Sequence, residues 1–340
     1  MSSDRRNLFG FQWHITDRCD QRCKHCYIHA DSNHENCIEM DFPQICKTFD
    51  FCLQFCEKYS FHPCFYITGG DPLLHPDFWK LAKKIKDHNL PYAILGNPYH
   101  LNEKVCEELH ESGCTVYQMS IDGLRQTHDF IRRKGSFDET LKKIPVLKKA
   151  GIKAVIMTTV SDLNIYQVPD IMDIVARNGA SGFSFARYCP TDHTRGNGIT
   201  PEQYRELFAK CDEKIKELKQ KKSSTIFVKK DHLWKLYDYE QGNISLADQK
   251  GGCSCGESQL SILPTGDIWA CRRVKDSLVG NVYTDSPETV WLDKMEYYRQ
   301  FNKFEKCSGC NLLNICRGCP AVSRSVTGNF YGKDPQCWKK

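Results

Sequence analysis

No run of about 18 consecutive apolar residues occurs in the chain, which excludes a membrane-spanning helix of the hydropathy type. The opening MSSDRRNLFG has neither an apolar core nor a small-residue cleavage site, so no secretory signal is expected. A surplus of one charge is nearly lacking too. Forty-seven Lys and Arg against 42 Asp and Glu leave a formal +5 over 340 residues, too little to point to nucleic acid. There is no low-complexity segment and no long internal repeat. What remains is ordinary globular composition, 40% hydrophobic and 26% charged, in a chain long enough for two domains and a sizeable core.

Cysteine is the exception, at 20 residues. A disulfide scaffold is usually small and secreted, and this chain is expected to be neither. The spacings favour metal or cluster binding instead.

Apolar, β-branched or aromatic runs recur at 8–16, 63–69, 91–97, 116–122, 153–160 and 182–188. Helix-like stretches separate them near 41–58, 76–88, 102–113, 137–150 and 165–178. This alternation predicts βα units on a parallel sheet. The fold class is α/β: six units suggest a partial (β/α)6 barrel of the TIM type over 8–200, with its chemistry on the loops after the strands. Residues 201–221 read as one charged amphipathic helix with Pro201 in its first turn, and 201–250 as a helical bridge. Eight cysteines fall in 251–340, which reads as a small domain organised by metal rather than by an apolar core.

Cys19, Cys23 and Cys26 (CDQRCKHC) can converge on one centre. A structural zinc normally takes four ligands, and His25 or His29 would have to supply the fourth. Three thiolates on a four-iron cluster instead leave one iron open. The motif, with Tyr27 after it and HITDRC before it, resembles the signature of the radical S-adenosylmethionine (radical SAM) superfamily. The resemblance implies that the open iron chelates S-adenosylmethionine, whose cleavage yields a 5′-deoxyadenosyl radical. Thr68-Gly69-Gly70-Asp71-Pro72 resembles the superfamily's glycine-glycine-glutamate segment, which meets the cofactor's amino group, although Asp71 stands where Glu is usual. Gly-Gly-Asp-Pro would equally serve a plain turn. Ser120 and Asp122 resemble residues that meet the ribose and methionine parts. The stretch THDFIRR, with His128, Asp129 and Arg132, resembles the segment that follows in the peptide-modifying branch; it reads equally as a solvated helix start.

Cys255, Gly266, Cys271, then Cys307-x2-Cys310-x5-Cys316-x2-Cys319 and finally Cys337 resemble the SPASM domain, the twin-cluster extension of radical SAM enzymes. The two-residue gap of CRGC, where three is usual, also resembles members acting in haem-type cofactor pathways. A pair of zinc ribbons is the competing reading of the C-x2-C pairs. The resemblance implies three [4Fe-4S] clusters. Cys255, Cys271 and Cys319 would hold the first auxiliary one, and Cys307, Cys310, Cys316 and Cys337 the second. Cys253 either completes the first or is unused, leaving an open iron. The remaining cysteines, Cys37, Cys46, Cys52, Cys56, Cys64, Cys106, Cys114 and Cys211, lack such spacing and read mostly as small buried apolar residues. Cys189, expected at the barrel mouth after the sixth strand, either donates a hydrogen atom to a substrate radical or is a buried thiol.

SPASM enzymes mostly modify ribosomally made peptides, so the resemblance implies a peptide maturase forming thioether or carbon–carbon crosslinks. A small-molecule enzyme of haem-type cofactor synthesis is the alternative, as is a sulfatase formylglycine maturase. The last reading is weakened because sulfatase-maturing enzymes carry Asp after the cysteine corresponding to Cys271, whereas Arg272 and Arg273 stand here. That Arg pair either grips a carboxylate or peptide backbone or is solvated surface. A purely structural metal protein would have no need of Gly69, Gly70 and Ser120. Only about ten residues precede the first strand, so a leader-binding domain is not expected there; either a separate protein recognises the leader or the enzyme holds the peptide directly. The other partners implied are a precursor peptide and a flavodoxin or ferredoxin reductant. Oxygen-sensitive clusters imply the cytoplasm.

Overall fold

The computed structural model describes residues 7–28, 37–190, 198–246 and 251–339. Strands and helices alternate from the start: β1 (Leu8–Thr16), α1 (Phe42–Lys58), β2 (His62–Gly69), α2 (Phe78–Asp87), β3 (Tyr92–Leu95), α3 (Glu103–Glu111) and β4 (Cys114–Ser120). Then follow α4 (Arg125–Ile131), α5 (Ser136–Lys149), β5 (Lys153–Val160), α6 (Val168–Arg177) and β6 (Gly182–Arg187). The long helix α7 (Pro201–Gln220) leads to β7 (Ile226–Phe227) and α8 (Leu233–Glu240), and the chain ends with β8 (Gln259–Ile262), β9 (Asp267–Trp269), β10 (Leu278–Asn281) and α9 (Pro320–Thr327).

Local signals set the helix ends. Asp41 and Gln44 close a reciprocal capping box on α1, and Thr200 and Gln203 do the same on α7. Asp129, from α4, accepts hydrogen bonds from the Gly135 and Phe137 N–H groups at 2.7 and 3.0 Å and so caps α5.

The strands form a single sheet in the order β10-β9-β8-β1-β2-β3-β4-β5-β6-β7, parallel from β8 through β7. It does not close; β10 and β7 are its edges, as a partial barrel requires. Alternation on β1 divides its two faces. Phe9, Phe11, Trp13 and Ile15 are fully buried against α1 and β2, with Phe9–Phe55 ring centroids 4.7 Å apart and Phe11–Phe65 5.9 Å apart. Each such ring contributes about 1.5–3 kcal/mol by burial. The other face carries Gln12 and His14. In register with it stand Tyr66 on β2, Gln118 and Ser120 on β4, and Met157 and Thr159 on β5, of which all but His14 are partly exposed. A filled TIM barrel would bury this inner face; here it is polar and open.

The C-terminal segment differs from the expected metal-organised domain. Its strand β8 pairs in parallel with β1, Gly10 opposite Gln259 and Trp13 opposite Ile262. Leu260, Ile262, Ile268, Val279, Val290 and Met295 are fully buried, and Trp291 packs edge-on against Phe9 at 5.1 Å. This apolar core was hidden by the short strands, which are too brief to show a period. Residues 201–250 also join the main core: Phe208 of α7 lies between Phe185 of β6 and Trp234 of α8, at 5.8 and 4.3 Å. Among the described residues no helix is long and apolar enough to cross a membrane.

Candidate functional site

The loop after β1 carries the first three cysteines, each half-buried and none in a disulfide. Gln21 N–H points at Cys19 Sγ (3.4 Å), Cys23 Sγ lies 3.5 Å from Gln21 Oε1, and Cys26 N–H turns back to the Cys23 carbonyl at 3.0 Å. Burial pushes the Cys19 thiol up to about 12, against the pull of the Gln21 N–H, and raises Cys23 despite Arg132. Thiols of this kind ionise when a cationic metal centre arrives. Of the proposed zinc donors, His25 lies with Nε2 3.3 Å from Asp122 Oδ2, and His29 lies outside the described residues.

Gly69 and Gly70 serve a close approach, but to the cysteine loop itself. Gly70 N–H bonds the Thr16 carbonyl at 2.8 Å and Asp71 N–H the Arg18 carbonyl at 2.7 Å. Gly69 has φ +146°, and a Cβ on either glycine would collide with that backbone. Both of these N–H groups are thus occupied. Thr68 Oγ1 donates to the Leu95 carbonyl at 3.2 Å. Asp71 is fully buried; Oδ1 accepts from Leu73 N–H at 3.0 Å, while Oδ2 has no partner and remains able to meet an ammonium. Burial raises its carboxyl to about 6.

Ser120 ends β4 on the open inner face. Asp122 does not share that freedom. It is fully buried; Oδ2 accepts from Arg132 Nε at 2.5 Å, and Oδ1 from Thr159 N–H at 2.7 Å. Burial would raise its carboxyl, but Arg132 and His25 hold it well below the usual carboxylate range. Arg132 Nη1 then reaches Cys23 Sγ at 3.7 Å. Asp122 and Arg132 therefore brace the first cysteine site. His128 corrects the solvated-helix reading. It is buried, accepting from Asp122 N–H at 3.0 Å and meeting Ser136 Oγ at 3.1 Å. Only long-range contacts reveal these roles.

The C-terminal cysteines sort into two groups. Cys253, Cys255, Cys271 and Cys319 act on one another electrostatically at close range, and His232 hydrogen-bonds Cys253. Cys189 joins this group rather than standing alone at the barrel mouth, for its thiol and that of Cys319 are hydrogen-bonded. Arg273 points Nη1 at Cys189 Sγ and Nη2 at Cys319 Sγ, both at 3.6 Å. The Cys189 hydrogen bond, with Arg273 behind it, brings the Cys319 thiol down to about 6. Cys307, Cys310, Cys316 and Cys337 line a separate pocket with Leu236, Leu312 and Asp334. Most of the other cysteines are buried or half-buried, and Cys37 is exposed.

Arg272 and Arg273, adjacent in sequence, part company. Arg273 faces sulfur, whereas the Arg272 guanidinium lies over the Tyr27 ring at 4.7 Å and the Trp269 ring at 5.2 Å. Tyr27 Oη in turn accepts weakly from Gln12 Nε2 at 3.5 Å. The donor sets, three thiols on one loop and two clusters of soft ligands, suit iron–sulfur ligation.

Two family models match the chain: the radical SAM superfamily over residues 13–175 and the SPASM iron–sulfur cluster-binding domain over 253–320. Among curated relatives, an AdoMet-dependent heme synthase from Methanosarcina barkeri is 25% identical, covering 96% of this chain and 95% of its own length. The mycofactocin maturase MftC from Mycolicibacterium smegmatis is 27% identical over 96% of this chain and 81% of its own length. Among solved structures, Streptococcus suis SuiB bound to S-adenosylmethionine superposes with TM-score 0.74 at 20% identity, covering 98% of this chain and 77% of SuiB. The AdoMet-bound anSMEcpe superposes with TM-score 0.76 at 16% identity, covering 97% of this chain and 90% of that one. SuiB has also been solved with its precursor peptide SuiA.

Proposed function

Since the chain belongs to the radical SAM superfamily and carries a SPASM domain, and so is an enzyme that binds iron–sulfur clusters and S-adenosylmethionine, we propose that it cleaves that cofactor reductively and uses the radical to modify a ribosomally made peptide, forming a thioether or carbon–carbon crosslink. The observation that carries this reading is the placing of Cys19, Cys23 and Cys26 on one half-buried loop after β1, beside an inner sheet face left polar and open.

Bound to those three cysteines, a four-iron cluster would supply the electron that breaks the cofactor's carbon–sulfur bond. The chain does the rest by placement. Asp71 Oδ2 offers an unpaired oxygen to the cofactor ammonium. Arg132, fixed by Asp122, holds the Cys23 sulfur. Ser120, partly exposed at the end of β4, would meet the cofactor's ribose, and Gly69 and Gly70 keep the cysteine loop tight against β2. Two auxiliary clusters complete the set, one on Cys253, Cys255, Cys271 and Cys319 and one on Cys307, Cys310, Cys316 and Cys337. Residues 8–200 form the radical barrel, 201–250 the bridge and 251–340 the auxiliary domain. A flavodoxin or ferredoxin delivers the electron, and a separate protein holds the peptide leader, in the cytoplasm.

A second reading has its own support. The heme synthase relative matches over nearly its full length at 25% identity, close to the 27% of the maturase, which favours a tetrapyrrole carboxylate as substrate. The test is anaerobic incubation of the reconstituted, reduced protein with S-adenosylmethionine. Formation of 5′-deoxyadenosine is expected, and its absence would sink both readings. Crosslinking of a candidate precursor peptide against turnover of an iron tetrapyrrole then separates them.

A further inference from the structure

His14 lies on the inner face of β1, opposite Thr68 of β2, and is fully buried. Neither of its ring nitrogens has a hydrogen-bond partner. Beside it lie Tyr27, at 6.3 Å between ring centroids, and the charge of Arg272. Burial first, and Arg272 second, depress the imidazolium, so the ring is neutral, with one N–H donor and one acceptor nitrogen. The Arg272 Nε is likewise buried and unpartnered, although the side chain as a whole remains partly exposed. Tyr27 and Trp269 flank its guanidinium and fix its orientation.

Buried donors without partners are rare in folded proteins, because each forfeits its hydration for nothing. Two on neighbouring side chains, one of them a cation, call for a single acceptor that carries negative charge. Asp17 is the carboxylate that shares this neighbourhood, and it makes no ion pair with Arg272 among the described residues. Burial raises its carboxyl while Arg272 lowers it. The fold brings the parts from three places: His14 from β1, Tyr27 from the end of the first cysteine motif, and Arg272 from just past Cys271. They meet on the inner face between the first cysteine site and the first auxiliary group, where a substrate must lie to reach both.

We propose that Arg272 and His14 form a carboxylate-binding subsite for the substrate, the Arg272 Nε–H and one imidazole N–H donating to its oxygens. The subsite rests on the reading of the chain as a radical enzyme whose substrate enters the barrel. It deepens that reading by naming the chemistry recognised: a substrate carboxylate, from a peptide or from a tetrapyrrole side chain.

The test uses the full-length reconstituted protein with S-adenosylmethionine bound and two probe pairs. One is iron protoporphyrin IX and its dimethyl ester, followed by absorbance. The other is acetyl-Gly-Phe and its amide, followed by tryptophan fluorescence. The free acid is expected to bind about tenfold more tightly than its capped partner in one of the pairs, the effect of one charge-assisted hydrogen bond. A preference in the first pair assigns the carboxylate to a tetrapyrrole, in the second to a peptide. Arg272→Gln should erase that preference, Arg272→Lys should retain part of it, and His14→Gln should reduce it. Iron content and melting temperature show whether each variant folds, and if Arg272→Gln does not, the Lys and His14 variants decide. Equal binding of acid and capped forms in both pairs, no binding of either acid, or a preference that stays at the wild-type level in the folded variants would overturn the proposal. Release of 5′-deoxyadenosine by the wild-type protein is measured separately, so failure of the radical reading shows there and not in the binding ratio.

Discussion

Arg187 and Asp334 form a bidentate ion pair, Nη1 to Oδ1 at 2.6 Å and Nη2 to Oδ2 at 2.9 Å, with both side chains buried. The pair joins the last residue of β6 to the C-terminal segment. Arg187 Nε also donates to Asp231 at 2.8 Å, and Asp334 Oδ2 accepts from the Cys319 N–H at 2.8 Å. Arg187→Ala leaves the buried Asp334 and Asp231 carboxylates without their cation, at a cost of about 3–5 kcal/mol, whereas Asp334→Ala leaves Arg187 paired with Asp231 and should cost less. Anaerobic denaturation with urea should show this loss together with reduced iron retention at the Cys319 group. A stability change below about 1 kcal/mol, the scale of an exposed pair, would contradict the clamp.

Cys23→Ala removes one of the three converging thiols of the first site. The variant should release no 5′-deoxyadenosine while keeping the iron of the C-terminal groups, as read by iron content and electron paramagnetic resonance. Unaltered cofactor cleavage would separate this loop from the radical step.

Gly70→Ala probes the same site through the backbone. The added Cβ meets the Arg18 and Asp17 carbonyls, which are main chain and cannot turn aside. Overpacking of this kind costs about 1–3 kcal/mol. Here it pushes the Cys19 loop away from β2, so the first site should bind iron more weakly and cleave cofactor slowly, with the melting temperature lowered in parallel. Full iron occupancy and wild-type cleavage would show that the loop tolerates the shift.

Arg273 places two N–H groups on cysteine sulfur at 3.6 Å and is half-buried. Hydrogen bonds and positive charge at sulfur favour the reduced state of an iron–sulfur cluster. Arg273→Gln should therefore lower the midpoint potential of the first auxiliary cluster in an electron paramagnetic resonance titration, with iron content maintained. An unshifted potential would assign Arg273 to packing alone.

Cys310→Ala should deplete iron from the group that includes Cys307, Cys316 and Cys337, leaving slow cofactor cleavage but no product, or an unstable C-terminal segment. Full product formation would remove this group from the reaction.

The barrel was readable because each strand and helix carries its own period. The runs at 8–16 and 153–160 and the helix pattern at 201–221 match β1, β5 and α7 almost residue for residue. The grouping of the C-terminal cysteines, with Cys319 set beside Cys271 rather than Cys316, came from the family resemblance and not from spacing alone. What stayed hidden depends on partners far apart in the chain. Asp122 looked like a free strand-end carboxylate until Arg132, His25 and Thr159 closed around it. Arg187 and Asp334 lie 147 positions apart, beyond any local pattern. The strands of the C-terminal hairpin are three and four residues long, too short to announce their apolar side.

The seam between β8 and β1 has a mechanical consequence. The C-terminal segment is stitched to the open sheet at β1 and riveted to it again at β6 through Arg187, so it spans the C-shaped plate like a tie bar between the jaws of a clip. The two joins hold the segment at β1 and at β6, so loss of either one leaves it fastened to the sheet at a single place.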